Sequence, residues 1–109
     1  MFKTLVLVRD LMFASKISAT AKAAAAEIEM LRDPSALAGK SADRLIIDLN
    51  QPGTLEAAIA WKALDPNRKV IGFVSHTDRQ TIAAAESAGI DQIMPRSQFV
   101  ASLDMRLRS

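Results

Sequence analysis

The chain has 109 residues, half of them hydrophobic and 24% charged, with no cysteine and a formal net charge of +2. That length fits one domain, 1–109, with one core, and the missing cysteines exclude disulfides and thiolate metal centres. The small, scattered positive charge gives no reason to expect a nucleic-acid partner. No stretch reaches the roughly 18 apolar residues of a membrane span, and the apolar N-terminal run is too short for a signal-peptide core, so a cytoplasmic chain without a membrane partner is expected.

Strand-like and helix-like runs alternate along the chain, the pattern of a parallel α/β sheet. Lys3 to Val8 reads as a continuous apolar strand, as a sheet covered on both faces requires. Met12 to Ala25 follows as a helix, with Phe13, Ile17 and Ala21 at helical spacing. Ala26 to Leu31 predicts the edge strand, one long helix through Leu31 being the alternative. Pro34 opens a short helical segment that Gly39 ends. Arg44 to Leu49 predicts the central strand. Thr54 is expected to cap a helix reaching Leu64, with Glu56 in its first turn. Lys69 to Val74 is the fourth strand, and Thr77 with Gln80 has capping-box spacing for a helix that Gly89 closes. Gln92 to Met94 is the fifth strand. Ser97 is expected to cap the last helix, whose apolar stripe is Phe99, Val100, Leu103 and Leu107.

Five strands and about five helices predict a doubly wound five-stranded parallel sheet in the order 2-1-3-4-5. In that order Arg9, Asp10 and Asp48 face one crevice at the C-terminal ends of the strands, where open α/β sheets carry their chemistry. Ser75 ends the fourth strand and Arg96 follows the fifth, so two carboxylates, a hydroxyl and two guanidiniums meet at one rim.

These residues give the chain a resemblance to the receiver domain, the phosphoacceptor module of two-component signalling, over residues 3 to 108. The run Asp48-Leu49-Asn50-Gln51-Pro52-Gly53 matches the phosphoacceptor signature, Ser75 the hydroxyl position, Asp10 the second member of the acidic pair, and Ala88-Gly89-Ile90-Asp91 the segment before the fifth strand. The resemblance implies a flavodoxin-like fold, Asp48 as phosphoacceptor from a histidine kinase, Ser75 and Arg96 as phosphoryl contacts, and Asp10, Asp48 and the Asn50 carbonyl as ligands for Mg²⁺.

Several positions depart from that pattern. Arg9 stands where the first acid belongs and Arg96 where the lysine belongs, so Asp10, Asp48, Arg9 and Arg96 sum to zero rather than the −2 that recruits a divalent cation. A guanidinium near Asp48 attracts it by roughly 4 kcal/mol at ~4 Å and an effective dielectric of about 20, before desolvation, and repels Mg²⁺. Arg9 is therefore expected to substitute for the metal, and Arg96 to make a structural ion pair with Asp48 or Asp10. His76 follows Ser75, and Ile93 stands where receivers carry a switching aromatic. Trp61 reads as packed against neighbouring helices, with an interface anchor as the alternative.

The sequence thus points to an atypical, non-enzymatic receiver that needs no cofactor and acts through another signalling protein, a histidine kinase or an effector chain. The fourth helix, fifth strand and fifth helix offer its interaction surface, with Arg79, Gln92, Arg106 and Arg108, and a possible homodimer face. The alternative is a phosphorylatable single-domain response regulator with Asp48 as nucleophile and Mg²⁺ as cofactor. A nucleotide-binding enzyme is disfavoured, because the first loop, Arg9-Asp10-Leu11-Met12, has neither a dinucleotide fingerprint nor a P-loop.

Overall fold

The computed structural model describes residues 2–108. Five strands run in chain order, β1 Lys3–Leu7, β2 Glu27–Leu31, β3 Arg44–Asp48, β4 Lys69–Val74 and β5 Gln92–Pro95. All are parallel and adjoin in the order β2-β1-β3-β4-β5. The helices are α1 Leu11–Ala23, α2 Thr54–Ala63, α3 Arg79–Ser87 and α4 Arg96–Arg108. The sheet and its order match the sequence expectation. The segment Pro34–Leu37 is a single 3-10 turn rather than an α-helix, so the described residues form four α-helices.

Strand periodicity explains the two-sided core, since successive side chains point to opposite faces. Leu5, Leu7, Leu45 and Ile47 pack with Ala58 and Trp61 of α2, Ala85 of α3 and Leu37. Val6, Val8, Ile46 and Phe73 pack with Phe13, Ile17 and Ala21 of α1 and with Phe99, Leu103 and Leu107 of α4. Trp61 is core: its ring is buried, its indole donates to the Lys40 carbonyl at 2.9 Å, and the Arg68 guanidinium lies 4.6 Å from its centroid. Its interface-anchor reading is set aside. The edge strand β2 is only partly covered, and Glu29 on it pairs with Lys3 and Lys40 at 3.0 and 2.6 Å. Charge of this kind discourages further strand pairing.

Helix ends differ from the sequence expectation in four places. α1 stops at Ala23, and Ala25 takes φ 53°, the one non-glycine residue with positive φ among those described. α2 begins after Gly53 at φ 85°, so Thr54 is already helical; its buried hydroxyl lies 2.7 Å from the Asp48 carbonyl and 2.9 Å from that of Gln51. α3 is capped by Asp78, not by Thr77 with Gln80, because a carboxylate is the stronger acceptor at the positive end of the helix dipole. α4 starts at Arg96 directly after β5, which leaves Ser97 inside the first turn rather than at the cap.

Candidate functional site

Asp48 closes β3 and is 7% exposed, held where the buried strand reaches the C-terminal rim of the sheet. Its two carboxylate oxygens are both engaged. Oδ1 accepts the Asn50 N–H at 3.0 Å and Oδ2 accepts Arg96 Nη2 at 3.2 Å. Arg96 Nη1 stands 3.9 Å from Asp10 Oδ2, so one guanidinium spans both acids. The other oxygen of Asp10 serves the fold: Oδ1 accepts the N–H groups of Met12 and Phe13 at 3.0 and 3.2 Å and caps α1. Capping by a carboxylate satisfies amides that the helix leaves free.

Arg96 is also seated on aromatic faces. Its Cζ lies 4.9 Å from the Phe13 centroid and 5.4 Å from that of Phe73. Those rings are in turn fixed, Phe73 lying edge-on to Phe13 and stacked on Phe99, at 4.8 Å in each case. Cation–π contact favours a weakly hydrated guanidinium over an ammonium. Phe13 comes from α1, Phe73 from β4 and Arg96 from the start of α4, so three elements converge under the cation.

Arg9 does not reach Asp48. Its side chain is exposed, and its amide donates to Gln51 Oε1 at 3.0 Å. The carboxyl whose ionisation its charge favours is Asp33, which is held below the usual carboxylate range first by the Ser35 N–H and hydroxyl and lastly by Arg9. The expected Arg9 substitution for the metal is therefore corrected: the cation beside Asp48 belongs to Arg96. Arg96 has two ring faces beneath it, from Phe13 and Phe73, whereas the Arg9 side chain is exposed and has no such contact among the described residues.

Ser75 stands at the end of β4, but its hydroxyl faces Thr77 Oγ1 at 3.0 Å. Its N–H donates to Asn50 Oδ1 at 2.7 Å, and Asn50 Nδ2 donates to Asp78 Oδ2 at 2.7 Å. Asn50 thereby stitches the loop after β3 to the loop after β4. Asp78 is held below the usual carboxylate range, first by the Thr81 hydroxyl, then by the Thr81 N–H and, more weakly, by Asn50. His76 is exposed on the same loop.

Sequence reading passed over Gln51 and Asp78. Gln51 is buried and ties three strand ends, through the Arg9 amide and, from Nε2, the Arg32 carbonyl at 2.8 Å. Gln51 carries no signal in a single sequence, because it acts on loops that only the sheet order brings together, whereas Asp78 carries a local one, an N-cap acid three residues before Thr81. Of the four surface residues expected on one face, two are brought together, Gln92 and Arg106. Gln92 Oε1 accepts Arg106 Nη1 at 2.6 Å, and Arg108 pairs with Asp104 at 2.9 Å along α4. Arg79 opens α3 at the other rim of the sheet and does not join them.

At the level of sequence, no family model matches the chain and no curated protein is similar to it. Solved structures do share its architecture. The BeF3-activated receiver domain of DrrB superposes with a TM-score of 0.82 at 17% identity, covering 99% of this chain and 95% of that one. A receiver domain from Methanospirillum hungatei gives 0.79 at 13% identity over 98% and 94% of the two chains. A Burkholderia pseudomallei response regulator with a phosphorylated aspartic acid, a calcium ion and citrate gives 0.79 at 14%, over 100% of this chain and 68% of that one. The chain therefore has the receiver fold. No described helix is long and apolar enough to cross a membrane.

Proposed function

We propose that the chain is a receiver-fold signalling module that works by docking to another protein, with Asp48 held by Arg96 rather than charged through a metal. The observation that carries this reading is the double engagement of the Asp48 carboxylate by the Asn50 amide and the Arg96 guanidinium. A carboxylate attacks a phosphoryl group through a free lone pair and needs cations arranged around the transferring phosphate. Here a side-chain cation is already hydrogen-bonded to one of the two Asp48 oxygens.

The residues present fit Mg²⁺ poorly. A hard divalent ion needs several oxygen ligands in near-octahedral geometry. Asp10 commits one oxygen to the α1 cap, and the Arg96 guanidinium lies against the outer oxygens of both acids. No third acid joins them, and among the described residues no group of three or more His, Cys, Asp or Glu is disposed to hold an ion.

One observation favours the second reading, a phosphorylatable response regulator. The exposed Arg9 leaves Asp48 with one neighbouring guanidinium rather than two. In that reading Arg96 swings from Asp48 Oδ2 to the phosphoryl group. Exposure to acetyl phosphate with Mg²⁺, followed by intact-mass and peptide mass spectrometry, separates the two. The docking module stays unmodified, while a stable phosphate on Asp48 defeats it. An Arg96→Lys chain that becomes phosphorylated where the natural chain does not supports the blocking role of the guanidinium.

A further inference from the structure

We propose that the N-terminal rim of the sheet, opposite Asp48, holds a site for a small ligand bearing an oxyanion, a phosphate or a carboxylate, with the Arg44 guanidinium as its receptor. This stands independently of how the Asp48 rim is read.

Arg44 opens β3 and is 8% exposed. Its protein partners are neutral: Nε donates to Thr4 Oγ1 at 3.1 Å and Nη1 to the Arg106 carbonyl at 3.0 Å. The Phe2 ring lies 4.9 Å from its Cζ. No carboxylate of the described residues lies within ion-pair distance of it. A buried charge is ordinarily paired, because taking it out of water is costly. The C-terminal end of α4 supplies part of the missing negative charge through its carbonyl dipoles, but no full counter-charge. Burial, and then the nearby Arg106 cation, lower the Arg44 pKa, so the protein leaves this cation less stabilised than a free one.

The side chain also has an open side. Nη2 makes no hydrogen bond among the described residues, and since no fully buried side-chain nitrogen lacks a partner, Nη2 is not completely enclosed. Arg44 lines two clefts there, of about 320 and 420 Å³, that share Phe2 as a wall. Lys69 lines the larger cleft with an exposed side chain, and Ile71 and Phe2 give it apolar surface. Its one carboxylate, Asp91, is already taken by Lys62 and by the Val70 N–H at 2.8 Å. The cleft thus presents a guanidinium edge and an ammonium beside apolar walls. A planar guanidinium edge matches carboxylate and phosphate oxygens, and the apolar walls suit a small organic body attached to them.

Isothermal titration with inorganic phosphate and with citrate, at matched ionic strength, tests the site and separates the two oxyanion sources. Saturable binding of at least one probe is expected. It should weaken tenfold or more in Arg44→Met and several-fold in Lys69→Gln, and stay unchanged in Arg96→Met at the opposite rim. Lys69→Gln alters an exposed side chain, so it decides the matter if Arg44→Met fails to fold. Absence of saturable binding, binding indifferent to Arg44 and Lys69, or binding lost in Arg96→Met overturns the proposal.

Discussion

Arg96 and Asp48 face each other at 3.2 Å across the rim of the sheet, and the same guanidinium lies over the rings of Phe13 and Phe73. The ion pair and the ring contacts reinforce one another, because the rings fix the cation that the carboxylate needs. Replacing Arg96 by methionine keeps much of the contact with the rings and removes the charge. The loss leaves Asp48, whose side chain is 10% exposed, with the Asn50 amide as its remaining partner. Arg96 is partly solvated, which limits the effect, so a cost of about 1–2 kcal/mol in urea unfolding is expected. Adding Asp48→Asn to Arg96→Met should recover part of it. A double variant no more stable than the single one means that the pair is not coupled.

The same turn closes two helices with different residues, which gives a second prediction. After α3, the Ile90 N–H reaches the Ala85 carbonyl at 3.2 Å and the Gly89 N–H reaches that of Glu86 at 3.1 Å, with Gly89 at φ 80°. After α1, the Ala26 N–H reaches Ala21 at 2.9 Å and the Ala25 N–H reaches Lys22 at 3.2 Å, with Ala25 at φ 53°. Both are Schellman motifs, and the left-handed residue in them is normally glycine. Ala25→Gly should stabilise the chain by about 0.5–1 kcal/mol and Gly89→Ala should destabilise it by about 1 kcal/mol. Thermal unfolding of the two variants checks the signs, and a destabilising Ala25→Gly refutes the assignment.

Much of the scaffold was legible because it rests on short-range regularities. Continuous apolar runs such as Leu45 to Ile47 mark strands buried on both faces, and polar residues at their ends mark the rim. The strand order was one that right-handed crossovers permit. The side-chain partners at the rim were not legible in the same way. Arg9 and Arg96 both follow a strand, and nothing local says which one turns inward. That choice is made by Phe13 and Phe73, distant in sequence and joined only when α1 and α4 cover the same face. Helix starts failed for a related reason. The observed cap positions, Gly53 and Asp78, each lie one residue from the expected caps, Thr54 and Thr77, and which residue turns into the helix depends on loop geometry. The short helical segment opened by Pro34 was legible, but nothing beyond its brevity marked it as a 3-10 turn.

Acid should weaken the fold through Asp91. Burial alone raises its pKa, but the Lys62 ion pair and the Val70 N–H outweigh that and hold it below the usual carboxylate value. A carboxyl whose native pKa is depressed binds protons more readily in the unfolded chain, so its stabilisation is full above the unfolded value near 4. It is lost as pH falls through the lower native value. Urea midpoints measured from pH 6 down to pH 2 should therefore fall, and Asp91→Asn should flatten that fall while lowering the plateau at pH 6. A variant with an unchanged slope assigns the acid sensitivity to another group, with Asp78 the next to examine.

Asn50 joins two loops through opposite ends of one amide: its oxygen accepts the Ser75 N–H and its nitrogen donates to Asp78, each at 2.7 Å. An aspartate in its place would still accept from Ser75 but would set two carboxylates against each other. Asp78 also caps α3 through Thr81, so repulsion there pulls on the helix start. Asn50→Asp should accordingly be less stable than wild type, read as a lower urea midpoint. Adding Asp78→Asn, which supplies a new donor, should restore most of the loss, since asparagine also caps well. Amide hydrogen exchange localises the effect. Protection at Ser75 and through Thr77 to Thr81 should drop in Asn50→Asp and return in the double variant, whereas the amides of α1 should not respond. Equal loss of protection across both loops and α1 would mean that the substitution weakens the whole fold rather than the joint between the loops.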